Sequence, residues 1–121
     1  MNKNLSITAL LGAITIVLGA FGAHALQESL EVSALKSFET AVRYQMFHVI
    51  VLLILNLSSK FTEKDKKWLT TIFIIGILFF SGSIYAITMG IPAKMIWFIT
   101  PLGGLIFIFG WLKMGWLFLK K

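Results

Sequence analysis

The sequence predicts an all-α integral membrane protein, a four-helix bundle with a short amphipathic segment in the membrane interface between its first two helices. Three observations predict this fold class. The chain is 58% hydrophobic and only 13% charged, whereas a soluble domain carries about 25% charged residues. Its apolar stretches are each close to the ~20 residues that cross a hydrocarbon core. Most of its lysines lie before, between and after those stretches, as in multi-pass membrane proteins.

The apolar stretches account for most of the chain. The predicted spans cover residues of about 5–26, 40–58, 67–90 and 95–116. They leave no room for a separate soluble domain, so we expect residues 1–121 to form one membrane domain. The first stretch, ending in Ala23-His24-Ala25, imitates a secretory signal. It is longer than the roughly 7 to 15 residues of a signal core, so we expect it to remain as a membrane anchor.

The basic residues are divided unevenly between the two sides of the predicted helices. Eight lie on one side: Lys3, Lys60, Lys64, Lys66, Lys67, Lys113, Lys120 and Lys121. The other side holds Lys36, Arg43 and Lys94. The positive-inside rule then predicts a multi-pass protein of the cell (inner) membrane with both termini in the cytoplasm. No basic face is interleaved with aromatic residues, so we expect membrane lipids as partners and no nucleic acid.

Small residues predict where the helices touch, because close backbone approach supplies much of the packing energy in lipid. In the first span Gly19 and Ala23 are four residues apart, and we expect this helix to be central. Similar spacing in the third span favours a homo-oligomer through the small-residue faces of helices one and three. The predicted packing positions are Gly12, Gly19, Gly22, Gly82, Ala86, Gly103 and Gly104.

Local signals predict helix ends and a bend. Residues 26–38 show apolar helical spacing and are expected in the interface, with Ser33 capping the second helix. Thr62 followed by Asp65 resembles a capping box and predicts the start of helix three. Pro101 is expected about two turns into the fourth helix, where it predicts a kink.

Tryptophan side chains favour membrane–water interfaces. We expect Trp68, Trp111 and Trp116 at the inner interface and Trp97 at the outer one.

Polar side chains are predicted to gather at one depth, in the outer leaflet, when positions are counted at ~1.5 Å per helical residue. Glu39 and Arg43 are four residues apart with the acid first, the favoured order for a helical ion pair. Tyr44 and His48 have the same spacing on an adjacent stripe. The candidate polar cluster comprises His24, Glu39, Arg43, Tyr44, His48 and Tyr85.

Two interpretations of this cluster stay open. The favoured one is an interfacial ion pair with histidines that bond neighbouring helices, because interfacial charges extend to water at little cost. The other is a ligand or ion site, since ionisable groups at membrane depth are expensive and often functional.

Metal and cofactor chemistry has less support in the sequence. A zinc site needs three or four convergent ligands, and the sequence contains no H-x-x-x-H or E-x-x-H spacing. The two histidines differ in predicted depth, which disfavours axial haem ligation. No G-x-S-x-G motif and no cysteine is present, which excludes thiol chemistry and disfavours a serine hydrolase. We therefore expect no metal, no cofactor, no catalytic residue and no enzymatic activity.

The chain contains four motifs: Gly19-Ala-Phe-Gly-Ala-His24-Ala-Leu26, Glu39-Thr-Ala-x-x-Tyr44-x-x-x-His48, Ser81-Gly-Ser83-x-Tyr85, and Pro101-Leu-Gly-Gly104 followed by Gly110-Trp111. They resemble those of the small YwdK/YgdD-like membrane proteins, a bacterial family of unknown function with animal relatives. The resemblance spans nearly the whole chain and implies a four-helix inner-membrane protein, but no reaction. It also implies that the family's recurring polar positions correspond here to His24, Glu39, Tyr44, His48 and Tyr85.

Two functional hypotheses follow. The first is a non-enzymatic membrane protein with a role in membrane or envelope integrity. The alternative is a small carrier or channel that binds a proton, an ion or a small polar molecule in an outer-leaflet pocket. A membrane enzyme or electron carrier would require a bound cofactor.

Overall fold

A computed structural model describes residues 3–120 of the chain. Within that range all the regular secondary structure is helical and there is no strand, which confirms the predicted fold class. The elements are α1 (Lys3–Phe21) with a π-helical turn (Gly22–Leu26), α2 (Val32–Leu57), α3 (Glu63–Thr88), α4 (Ala93–Ile96) and α5 (Ile99–Leu119). Four segments are long and apolar enough to cross a membrane: Lys3–Leu26, Val32–Leu57, Glu63–Thr88 and Ala93–Leu119.

The second helix begins slightly earlier than its predicted cap. Glu31 has extended backbone angles and precedes the first helical residue, Val32. Its carbonyl accepts the first helical bond, from the Leu35 N–H, at 2.9 Å. Ser33 therefore lies inside the helix, and its predicted capping role is wrong. The amphipathic residues that follow are continuous with the membrane-crossing part of α2.

The predicted cap of the third helix is confirmed. The hydroxyl of Thr62 accepts a hydrogen bond from the backbone N–H of Asp65 at 3.1 Å. Glu63 and Asp65 are two acidic residues in the first turn of α3. Their negative charges interact favourably with the positive end of the helix dipole and stabilise the start of the helix.

The interruption predicted at Pro101 is present but lies one turn earlier, at Trp97 and Phe98 between α4 and α5, and Pro101 is the third residue of α5. Trp97 is four residues before the proline, where the ring clashes with a regular helical carbonyl. A proline in the first turn of a helix removes no intrahelical hydrogen bond, because the N–H groups there have no partner within the helix. The helix is therefore regular after this proline.

Consecutive spans pack against each other, with α1 on α2, α2 on α3 and α3 on α5. They are antiparallel: Gly12 faces Val49, whereas Gly19, further along α1, faces the earlier Val42. α2 and α3 are thus the central helices. The expectation of a central α1 is wrong, because α1 packs mainly on α2. Gly12 and Gly19 face α2, whereas Ala13 and Ala20 are exposed.

Helices α3 and α5 interlock through phenylalanine and glycine. The rings of Phe73 and Phe107 lie over Gly110 and Gly76 of the opposite helix, and the backbone of Phe80 lies against Gly103. A Cβ on Gly76 would lie 2.6 Å from the Phe107 ring, and a Cβ on Gly103 would collide with the backbone of Phe80. Along each helix, the paired positions are separated by three and by four residues. This is the spacing of contact residues in helix pairs that cross with a left-handed twist.

The predicted packing glycines divide into two groups. A Cβ at Gly22 would collide with the Phe38 ring at 2.6 Å, and one at Gly104 would lie 3.9 Å from the Phe80 ring. Gly12, Gly19 and Gly103 also face neighbouring helices. A Cβ at Gly82, by contrast, would meet nothing within 4 Å. Gly82 therefore packs on no helix of this chain, and Ala86, one turn later, is only half-buried.

The alternating helix directions bring most basic residues toward one end of the bundle. The start of α1, the end of α2, the start of α3 and the end of α5 lie at that end. The described basic residues there are Lys3, Lys60, Lys64, Lys66, Lys67, Lys113 and Lys120. We call it the lysine-rich end.

Candidate functional site

The polar interior is centred on Gln45 of α2, which is 2% exposed. Its amide nitrogen donates to the hydroxyl of Thr15 on α1 at 2.7 Å. Its amide oxygen accepts from the hydroxyl of Tyr85 on α3 at 2.6 Å. The Thr15 hydroxyl in turn donates to the Leu11 carbonyl at 2.7 Å. One side chain thus connects three helices through hydrogen bonds.

Gln45 was not among the candidate residues, although it lies inside the Glu39–His48 stretch. The predicted cluster consists of ionisable side chains, whereas the side chain of Gln45 is neutral. A sequence signal was present, because Phe38, Gln45 and Leu52 are spaced by seven and all lie on the buried face of α2. A polar amide on an apolar helical face is a sign of a bond to another helix.

His48 lies in an aromatic enclosure and is 4% exposed. Its ring stacks on Phe107 with the centroids 3.7 Å apart and the planes 5° from parallel. Nε2 accepts from the indole N–H of Trp111 at 3.1 Å, and Nδ1 lies 2.7 Å from the Tyr44 carbonyl. Because an indole only donates, Nδ1 must carry the ring proton and donate to that carbonyl. Both ring nitrogens are therefore bonded within the protein.

The contact between His48 and Trp111 corrects the depth prediction, which placed His48 in the outer leaflet and Trp111 at the inner interface. Hydrogen-bonded side chains must share one level. His48 precedes the end of α2 by nine residues, about 14 Å. Trp111 precedes the end of α5 by eight, about 12 Å. Both therefore lie in the half of the bundle nearer the lysine-rich end, away from the Tyr85 end.

Half of the predicted cluster lies outside the interior. His24, in the π-helical turn, is exposed, as are Glu39 and Arg43. Within residues 3–120 the recorded ion pair is Lys66–Glu63 at 3.5 Å, so the predicted pairing of Glu39 with Arg43 is wrong. Both side chains are exposed on the surface of α2.

The other three members of the cluster lie on α2 or pack against it, at two different levels. The Tyr44 ring is partly exposed and packs on Phe80 with the centroids 5.1 Å apart. The backbone carbonyl of Tyr44 accepts the hydrogen bond from Nδ1 of His48. Tyr85 bonds Gln45 and packs on Phe38 at 5.3 Å between centroids. Tyr44 and His48 thus contact each other, with Trp111 as the second partner of His48, whereas Tyr85 bonds Gln45 nearer the other end of the bundle.

A second polar layer lies at the lysine-rich end and is centred on Asn56 of α2. Its amide nitrogen donates to Thr70 of α3 at 3.0 Å and to the Leu52 carbonyl at 2.9 Å. Its amide oxygen accepts from Asn4 of α1 at 3.1 Å. Asn56 therefore repeats the role of Gln45, joining the same three helices about 16 Å further along α2.

The described interior holds no unpaired polar side-chain atom among those that are fully buried. The hydroxyl of Ser81 on α3 donates to the Ala41 carbonyl of α2 at 2.7 Å, and Ser83 bonds Thr100 of α5. Residues 3–120 contain no group of three His, Cys, Asp or Glu side chains that could hold a metal ion. The geometry is that of side chains that fasten helices to one another.

Residues 18–104 match the family model described as a protein of unknown function, DUF423. The match covers the whole of α2 and α3, with Gln45, His48 and Tyr85. The chain belongs to the DUF423 family. This is consistent with the YwdK/YgdD-like resemblance of its motifs. No solved structure matches the chain.

Three relatives of this DUF423 protein cover most of its length. The UPF0382 membrane protein of Haemophilus influenzae is 41% identical over 115 residues, which span 95% of this chain and 92% of that protein. The UPF0382 inner membrane protein YgdD of Escherichia coli is 34% identical over 113 residues, spanning 91% and 84%. The UPF0382 membrane protein C1782.12c of Schizosaccharomyces pombe is 32% identical over 115 residues, spanning 90% and 95%. The DUF423 chain is accordingly a membrane protein, and none of these names assigns an enzymatic activity.

Proposed function

We propose that this DUF423 protein is a non-enzymatic component of the membrane with a role in membrane or envelope integrity. The proposal rests on the hydrogen bonds of the Gln45 amide. Its nitrogen and oxygen are bonded to α1 and α3, whereas a recognition site directs such groups toward a ligand. The polar interior therefore serves to hold the bundle in one arrangement, and the protein acts through its outer surface.

The proposed location is the cell (inner) membrane, with both termini in the cytoplasm. Support comes from the clustering of seven described lysines toward one end of the bundle. Cytoplasmic segments of membrane proteins carry such an excess of basic residues.

We further propose a homo-oligomer that forms through α3. Gly82 leaves a shallow surface with nothing within 4 Å of its Cβ position, and small residues let helices of neighbouring copies approach closely. A Gly82→Leu variant should lose the crosslinked oligomer that the wild type forms in membranes. Gly115→Leu, at an equally open position on α5, is the control. An oligomer unchanged by Gly82→Leu contradicts this interface.

The integrity role is tested in a strain that lacks the gene. We expect greater entry of a membrane-impermeant dye under detergent stress, and rescue by the wild-type gene. Gln45→Leu should rescue poorly, because it removes the bonds between helices. Gln27→Leu makes the same change at an exposed residue and should rescue fully. Equal dye entry in the deletion and parent strains contradicts the proposal.

A small carrier is the second candidate. It is favoured by a groove between α1 and α2 that Thr15, Gly19, Arg43 and Phe47 help to line. Flux of protons or small ions into liposomes is the measurement, with Glu39→Gln and His48→Ala as variants. If the protein is a carrier, liposomes that contain the wild type must show more flux than empty liposomes. Equal flux in the two would reject the carrier hypothesis.

A further inference from the structure

A basic pocket lies between the first turns of α3 and the last turns of α5, at the lysine-rich end. Its volume is about 480 Å³. Lys64 of α3 and Lys113 and Lys120 of α5 line it, together with Asp65 and Trp68. Residues from two helices thus bring three positive charges and one negative charge to one concavity.

These three lysines have no ion-pair partner within 4 Å among the described residues, where the recorded pair is Lys66–Glu63. Lys113 is half-buried, and it lies six residues before the end of α5, about 9 Å along the helix. Its ammonium group must extend along the surface toward water to stay hydrated. The pocket consequently has an excess of positive charge at the depth of the phosphate groups of a bilayer.

The pocket continues into an apolar groove along α3. Lys64 and Trp68 line both concavities. Beyond Trp68 the groove is formed by Thr71, Ile72 and Ile75, with a volume of about 540 Å³. Trp68 and Ile75 are seven residues apart, about 10 Å along the helix. Both side chains are exposed, by 52% and 38%, so no helix among residues 3–120 covers this apolar surface.

We propose that this composite surface binds one anionic phospholipid. The lysines hold the phosphate and any further anionic group of the headgroup, and an acyl chain lies along the groove from Trp68 to Ile75. Clustered lysines at the membrane surface attract anionic lipids, while apolar contact with α3 selects a molecule that also carries a chain. A free phosphate would satisfy the basic pocket but would leave the groove unoccupied.

The test uses purified full-length protein in a neutral detergent and native mass spectrometry with long-chain phosphatidylglycerol. Lys64→Gln/Lys113→Gln removes two charges from the pocket. Lys60→Gln/Lys94→Gln removes two charges from exposed positions outside it and is matched in net charge. We expect roughly a 25-fold loss of affinity in the pocket variant, at about fivefold for each lysine, and little change in the control. Phosphatidylcholine and glycerol 3-phosphate are the comparison ligands.

Three results would overturn the proposal. Equal loss in both double variants would mean that net charge alone attracts the lipid. If phosphatidylcholine bound as tightly as phosphatidylglycerol, the lysines would not be selecting an anionic headgroup. If glycerol 3-phosphate bound as tightly as phosphatidylglycerol, the groove would not be contributing to binding. Circular dichroism of each variant ensures that a loss of binding is not a loss of fold, and Lys113→Arg, which keeps the charge, should retain binding.

Discussion

The indole N–H of Trp111 donates to Nε2 of His48 across the α2–α5 contact, at 3.1 Å. This bond places a residue expected at the inner interface beside one expected in the outer leaflet. It also fixes the imidazole tautomer, and the same ring stacks on Phe107 with the centroids 3.7 Å apart. Although α2 and α5 are not neighbours in sequence, this hydrogen bond joins them directly.

Replacing Trp111 with Phe is expected to lower stability by about 1 kcal/mol, because Nε2 of the buried His48 then lacks a donor. Thermal unfolding in detergent micelles is the measurement. Trp116→Phe makes the same change at an exposed residue on α5 and should leave the midpoint nearly unchanged. Equal midpoints for the two variants would mean that the bond contributes no stability.

Gly103→Ala is expected to destabilise the α3–α5 contact by about 1–3 kcal/mol, the usual range for overpacking. The added methyl group would collide with the backbone of Phe80, which cannot move aside as a flexible side chain can. Gly115→Ala, where the Cβ would meet nothing within 4 Å, should be neutral or up to about 1 kcal/mol stabilising through helix propensity. A Gly103→Ala protein as stable as wild type would contradict the close approach of these helices.

The proposed orientation predicts a simple labelling pattern, since the chain contains no cysteine. Ser59→Cys lies in the α2–α3 connection and should react with a membrane-impermeant maleimide only after the cells are opened. Ser29→Cys lies in the α1–α2 connection and should react in intact cells. Both serines are exposed, so access is set by the membrane. The reverse pattern would invert the orientation.

The helices were predictable because each depends on local signals. The ~20-residue apolar lengths identify the spans, and Thr62 fixes the start of α3 through a bond to a residue three positions away. The sequence also indicated that glycines of α1 contact another helix. The pairing of helices was not, because α1 and α3 both carry small residues and only the three-dimensional arrangement decides which face lies against which helix.

The polar site was only partly predictable, for a related reason. Charge and spacing select Glu39 and Arg43, but both are exposed, where an ion pair gains little. Gln45 and Asn56 carry no charge, yet each bonds two other helices, with partners 30 and 40 residues away for Gln45. Such long-range partners have no local sequence signature, and neither does the Trp111 partner of His48, 63 residues away.

The most direct test of the account is a double-mutant cycle between Gln45 and Tyr85, read as the free energy of unfolding in detergent. Gln45→Leu and Tyr85→Phe should each destabilise the protein by about 1 kcal/mol, because each leaves a buried polar partner unpaired. The double variant should lose clearly less than the sum, with a coupling of at least ~0.5 kcal/mol. Additive losses would contradict the claim that this bond fastens α2 to α3.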